Sequence, residues 1–166
     1  MLIGVTSDTH IPTRAIHLPS KLVKGLRGVD LIIHAGDWDH IQVYDQLKQL
    51  APVKGVYGSN DDESIRKHFD KKIILSLGDY NIGVIHGDGG KRKDTIERCI
   101  QSFATERVDM IIFGHTHLPY YARHAHTLLF NPGSPTNKKK GQKNYSFGMI
   151  ELGPKIAAKH IFFKGN

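Results

Sequence analysis

The chain has 166 residues, 39% of them hydrophobic and 23% charged, a balance that excludes a disordered or bilayer-spanning chain and suits one soluble core. Lys and Arg outnumber Asp and Glu by 23 to 16, and the resulting net charge of +7 favours anionic partners. A single cysteine, Cys99, excludes an internal disulfide framework.

The chain opens on MLIGVTSDTH, which lacks a basic leader and a cleavage site and enters a strand pattern at once. A cytoplasmic protein forming a single domain over residues 1–166, without membrane contact, is therefore expected. This first apolar run breaks off into Asp8 and His10. Ser20 then caps a helical stripe of Leu22, Val23 and Leu26 that stops near Gly28. A second strand, DLIIHA, ends in Asp37, Asp39 and His40, and Ile41, Tyr44, Leu47 and Leu50 form the next helical stripe. A third strand, VKGVY, exits into Ser59, Asn60 and Asp61, followed by a short helix marked by Ile65 and Phe69. Strands alternating with helices over this first part predict βαβ units and a parallel sheet.

From Lys71 onward the pattern is denser in strands. KIILSLG and YNIGVIHG flank a Gly-Asp turn, as a hairpin requires, and the second run exits into His86 and Asp88. Cys99 sits in a helical stripe with Ile96, Ile100 and Phe103 and reads as packing. MIIFGHTH ends on His115 and His117, two imidazoles one residue apart, which converge if the backbone stays extended past Gly114. LLFNPGS, NYSFGMIELG and KIAAKHIFFKG complete the strand-rich part. Such a chain predicts an α/β fold of two facing sheets flanked by helices. Two basic clusters, Lys91 to Lys93 and Lys138 to Lys143, read as loop surface, or as a rim that draws phosphate towards a nearby site.

Ligands in open α/β sheets gather beyond the carboxyl ends of strands, and five such exits here carry metal-capable groups. Mixed imidazole and carboxylate donors suit Mn, Fe, Co, Ni or Zn better than an all-oxygen Mg or Ca cage. The donors exceed one tetrahedral site, which predicts two ions sharing a carboxylate and able to clamp both oxygens of a phosphoryl displacement.

Taken in order, SDTH, AGDWDH, YGSNDD, VIHGD, FGHTH and NPGS resemble the calcineurin-like metallophosphoesterase superfamily, in particular its small bacterial and archaeal phosphodiesterases. The resemblance implies a four-layer α/β/β/α sandwich of two mixed sheets. It implies a phosphoric ester hydrolase acting on a small phosphodiester through a hydroxide held by two divalent metal ions. Manganese is the first choice, with Ni, Fe, Zn and Co as alternatives. Asp8, His10 and His117 would hold one metal, Asp37 would bridge, and His86 and His115 would hold the other. One position departs from the family, for where it has Gly-Asn-x-Asp this chain has Gly58-Ser59-Asn60-Asp61. Ser59 or water then fills the place of the amide ligand, or Asn60 does so through a shifted loop.

Asn60 also stands where many relatives have a histidine that protonates the leaving group, and an amide supplies no proton at neutral pH. Asp37, Asn60 and Asp61 are the candidate catalytic residues, with Asp61 or Asp39 orienting neighbours. His40, His124 and His126 are weaker candidates for the substrate side. The pocket would be shaped by the loops Trp38 to Ile41 and Pro135 to Asn144. Nucleic acid is a less favoured substrate, and an oligomer remains compatible. A phosphomonoesterase or nuclease, or a noncatalytic scaffold such as the retromer subunit of the same superfamily, are the rival readings.

Overall fold

The structure is a computed structural model that describes residues 1–165. The first part alternates as its sequence predicts: β1 (Leu2–Thr6), α1 (Ser20–Gly25), β2 (Leu31–Ala35), α2 (Gln42–Leu47), β3 (Val53–Val56) and α3 (Glu63–His68). The hairpin of β4 (Lys72–Leu77) and β5 (Tyr80–Ile85) follows, and α4 (Thr95–Ser102) connects to β6 (Met110–Phe113). Two further hairpins close the chain, β7 (Tyr120–His124) with β8 (Thr127–Asn131), and β9 (Tyr145–Leu152) with β10 (Ile156–Phe163).

The strands form two five-stranded mixed sheets, ordered β10-β9-β1-β2-β3 and β4-β5-β6-β8-β7. In the first, β1, β2 and β3 are parallel. In the second, β5, β6 and β8 are parallel. Between the sheets lies a dry core in which Val5, Ile33 and Val56 of one face Val84, Ile112 and Phe130 of the other. Strands buried on both faces need nearly continuous apolar runs, as LIIHA and MIIF supply. Leu22, Val43, Leu47 and Ile65 bring α1 to α3 onto the outer face of the first sheet. Cys99 and Phe103 anchor α4 on the outer face of the second, the packing role expected of that cysteine. The result is the α/β/β/α sandwich.

Local details depart from expectation. Ser20 is the first residue of α1, and Pro19 occupies the capping position without a side-chain bond. The cap with a side-chain bond is Asp62, whose carboxylate accepts from the Ile65 N–H at 3.0 Å. Trp38 does not shape a pocket. It is fully buried, stacked between His34 and Phe69, and donates from its indole nitrogen to the Val56 carbonyl. Among the described residues no helix is long and apolar enough to cross a membrane.

Candidate metal centre

All six parallel strands run the same way into one edge of the sandwich, so the exits of β1, β2, β3, β5, β6 and β8 meet there. The exits are not extended. Asp8, His10, Asp37, Asp39, His115 and His117 all have φ between 43° and 77°, in the left-handed region, and Ala125 is the one other non-glycine residue there among the described residues. An extended chain would carry the side chains past the sheet edge, whereas a left-handed residue at each exit turns them back over it. Asp and His tolerate that region better than β-branched residues, but each such residue still costs about 1–2 kcal/mol. Strain gathered at one edge is characteristic of a functional site.

The turn also separates the two imidazoles of the H-x-H pair. His117 joins Asp8 and His10, with Nε2 3.3 Å from Asp8 Oδ1 and 3.3 Å from His10 Nε2. His115 lies instead against His86, ring edge to ring face, with its backbone N–H donated to Asp8 Oδ1. Two sets of donor atoms result, Asp8 with His10 and His117, and Asp8 with Asp37 and His86. Asp37 faces both, 3.6 Å from His10 Nε2 and 3.2 Å from His86 Nε2.

The tautomers define the chemistry of this cluster. His117 Nδ1 donates to the Asn137 carbonyl at 3.0 Å and His86 Nδ1 to the Ala35 carbonyl at 2.8 Å. A carbonyl only accepts, so both Nδ1 atoms carry hydrogen. His10 Nδ1 is held the same way by Asp39 Oδ1 at 2.9 Å. In each neutral ring the Nε2 lone pair therefore points at carboxylate oxygens or at another lone pair. His86 Nε2 is buried with no hydrogen-bond partner. Acceptors crowded against acceptors are repulsive until a cation lies between them. The donor set thus fits divalent metal, and the Nδ1 bonds are the outer contacts that orient metal-binding imidazoles.

Without a metal ion a proton takes the cation's place at His86: burial alone would lower the imidazole, but Asp37 and Asp8 outweigh it and raise it to about 9. Burial opposes ionisation of Asp37, yet His86 and the two Asn60 donors hold it far below the usual carboxylate range. His115, buried and facing His86 and Arg92, falls to about 4 and stays neutral.

Ser59 and Asn60 part company. Asn60 donates its backbone N–H to Asp37 Oδ1 at 2.9 Å and its amide to Asp37 Oδ2 at 2.6 Å. Ser59 is exposed and among the described residues its side chain makes no hydrogen bond, while its carbonyl accepts from Arg66. Asp61 touches no imidazole. It is buried, accepts the N–H groups of Asp37, Asp39 and Gly58, and is pushed up to about 6 by burial. Its role is to staple the β3 exit to the β2 exit. Gly58 and Gly114 let the exits close, since a Cβ on Gly58 would strike Asp37 and one on Gly114 would strike Ser7 and Asp8.

Three weaker candidates are not brought in. His124 and His126 sit at the β7–β8 hairpin, at the opposite end of the sheet, and His40 bonds to the Gln42 N–H beside Asp62. Conversely, residue types did not single out Arg14, which lines the pocket over His10 and His117 together with Arg92 and Lys139.

Residues 1–154 match the family described as the calcineurin-like phosphoesterase superfamily domain. A probable metallophosphoesterase of Methanocaldococcus jannaschii is 44% identical over 138 residues, covering 82% of this chain and 69% of that protein. A structure described as a novel archaeal phosphodiesterase is 25% identical, with a TM-score of 0.75 over 98% of this chain and all of that one. Vps29 of Chaetomium thermophilum, 19% identical, shares the fold with a TM-score of 0.79 over 99% of each chain.

Proposed function

The chain belongs to the calcineurin-like phosphoesterase superfamily, and from that premise we propose that it is a single-domain phosphodiesterase that hydrolyses a small phosphodiester with two divalent metal ions, manganese first among them. The observation that carries this reading is the set of three imidazoles whose Nδ1 hydrogens are engaged and whose Nε2 atoms converge on Asp8 and Asp37. Asp8, His10 and His117 would hold one ion, Asp37 would be shared, and His86 and His115 would hold the second, with Asn60 in the place of the family's amide. Two such ions supply Lewis acidity, drawing charge from phosphoryl oxygens and lowering the pKa of water.

The protein's own residues do the rest. Asp39 fixes the tautomer and plane of His10, the Asn137 and Ala35 carbonyls fix those of His117 and His86, and Asp61 holds the β2 and β3 exits in register. Asn60 keeps Asp37 ionised and in place. Because Asn60 gives no proton, esters whose leaving group departs as an anion are favoured, aryl and phosphoryl groups over simple alcohols.

Hydrolysis of bis(p-nitrophenyl) phosphate in manganese, followed by chelation, is the test. Turnover should vanish on chelation, return with manganese, and exceed that of p-nitrophenyl phosphate. A preference for the monoester would make the protein a phosphomonoesterase. Two bound metals without turnover would make it a scaffold on the same fold.

A further inference from the structure

Several cations are committed to the fold, whereas Arg14 and Arg92 are exposed and Lys139 is half-buried. Arg66 donates to the carbonyls of Gly58, Ser59 and Asp61, Arg98 to those of Gly87 and Lys91, and Lys72 to Ser102 and Glu106. Arg14, Arg92 and Lys139 differ, for among the described residues their side chains make no hydrogen bond or ion pair, yet all three line one pocket of about 310 Å³ floored by His10 and His117.

Their placement follows the logic of the metal donors. Arg14 is fixed by its N–H bond to the His10 carbonyl at 2.7 Å, just after the β1 exit. Arg92 lies in a 3-10 turn beyond the β5 exit that carries His86. Lys139, beyond the β8 exit, donates its backbone N–H to Gln142 Oε1 at 2.5 Å, and the Gln142 amide donates to the His117 carbonyl at 3.1 Å. Of the two basic clusters in the sequence, Arg92 and Lys139 are the members that line this pocket. Burial depresses the Lys139 ammonium, Arg92 and Arg14 add to that, and Asp8 and Asp37 oppose it.

A simple diester carries one negative charge, which two divalent ions at that centre would neutralise, and the one carboxylate of the pocket lining, Asp39, is bonded to His10. Three further unpaired cations beside that centre call for more charge than such a substrate brings. We propose that Arg14, Arg92 and Lys139 form a second anion subsite, and that the substrate is a phosphodiester bearing, near the scissile group, a terminal phosphomonoester. This assignment rests on the phosphodiesterase reading above.

The test uses two aryl esters in manganese, the p-nitrophenyl ester of thymidine 5′-phosphate and the same ester carrying a 3′-phosphate. Wild type should favour the 3′-phosphorylated ester at least tenfold in kcat/KM, mainly through KM. R14Q, R92Q and K139Q should each cut that ratio about threefold or more, and the triple variant should bring it near one. A ratio near one in wild type, or one unmoved in the triple variant while both esters turn over, overturns the subsite. An equal gain from an internal phosphodiester in a dinucleotide ester overturns it in favour of a nucleic-acid strand.

Should neither ester turn over, the diesterase reading fails, and binding alone decides the subsite. Titrating metal-free protein with adenosine 3′,5′-bisphosphate and adenosine 5′-monophosphate should show at least tenfold tighter binding of the bisphosphate, lost in the triple variant. Equal binding of the two by wild type, or a preference that survives in the triple variant, overturns it.

Discussion

Ser59 and Asn60 are adjacent, both small and polar, and the fold puts them to different uses. Asn60 reaches Asp37 with both its amide and its backbone, whereas the Ser59 hydroxyl faces solvent. Asn60→Ala removes a donor to a carboxylate shared by both donor sets, and groups in that position typically contribute 10- to 100-fold to metal affinity or activity. Manganese titration by calorimetry, with kcat/KM on bis(p-nitrophenyl) phosphate, should show a loss of about tenfold or more for N60A and less than about twofold for S59A. The reverse order would make Ser59 the ligand side chain. Residue types reveal that Asp8, Asp37 and the imidazoles belong together, because acids and histidines at strand exits have few other reasons to cluster. They do not reveal which of two neighbours turns inward, since that depends on the path from Gly58 to the Asp61 staple. Nor do they reveal the carbonyls of Ala35 and Asn137, which every residue type possesses.

At the level of elements, strands buried on both faces and the alternation with helices were legible because their apolar periodicity is strong. Helix starts were less so: Ser20 has the chemistry of a cap, but Pro19, with its fixed φ, takes that position. The extended H-x-H geometry also failed, since strand propensity ends where the sheet ends and left-handed exits begin. Contacts between the sheets carry no local signature at all, and His160 of β10 is one of these. Its Nε2 donates to the Asn131 carbonyl at 2.7 Å, and its ring stacks on Phe130, so it ties the first sheet to the second. Burial lowers its pKa, against the pull of the Asn131 bond. A histidine whose folded pKa lies below its unfolded value of 6.5 stabilises the fold above that pH, and the contribution is lost as pH falls, because the unfolded chain takes up the proton first. His160→Gln keeps a donor for Asn131 without titrating. The stability advantage of wild type over H160Q in urea unfolding should therefore be largest near pH 8 and should shrink steadily towards pH 5. A gap that is constant, or that widens in acid, would mean that His160 does not titrate from a neutral folded form.

For the whole molecule, the decisive fact is that the centre belongs to neither sheet alone. Asp8, His10 and Asp37 leave the first sheet, while His86, His115 and His117 leave the second. Metal at that edge would pin the sandwich shut, and without it the cluster is held across the sheets by a protonated His86 against Asp37 and Asp8, a weaker tie than a divalent ion. A ligand that binds the folded chain alone stabilises it by about 4 kcal/mol at a thousandfold excess over Kd. In a chain of this length about 4 kcal/mol corresponds to a rise of roughly 10 °C in the unfolding midpoint. Calorimetric scans of chelated and manganese-loaded protein should show a shift of that order. H86A and H117A each break a different donor set and should each forfeit a large part of it, while the double variant should show almost none. His86→Ala also strips buried Asp37 of its partner, so its metal-free midpoint should fall as well, but by less than the metal-loaded one. A full manganese shift in the double variant would place the stabilising cation elsewhere and would separate the left-handed exits from metal binding.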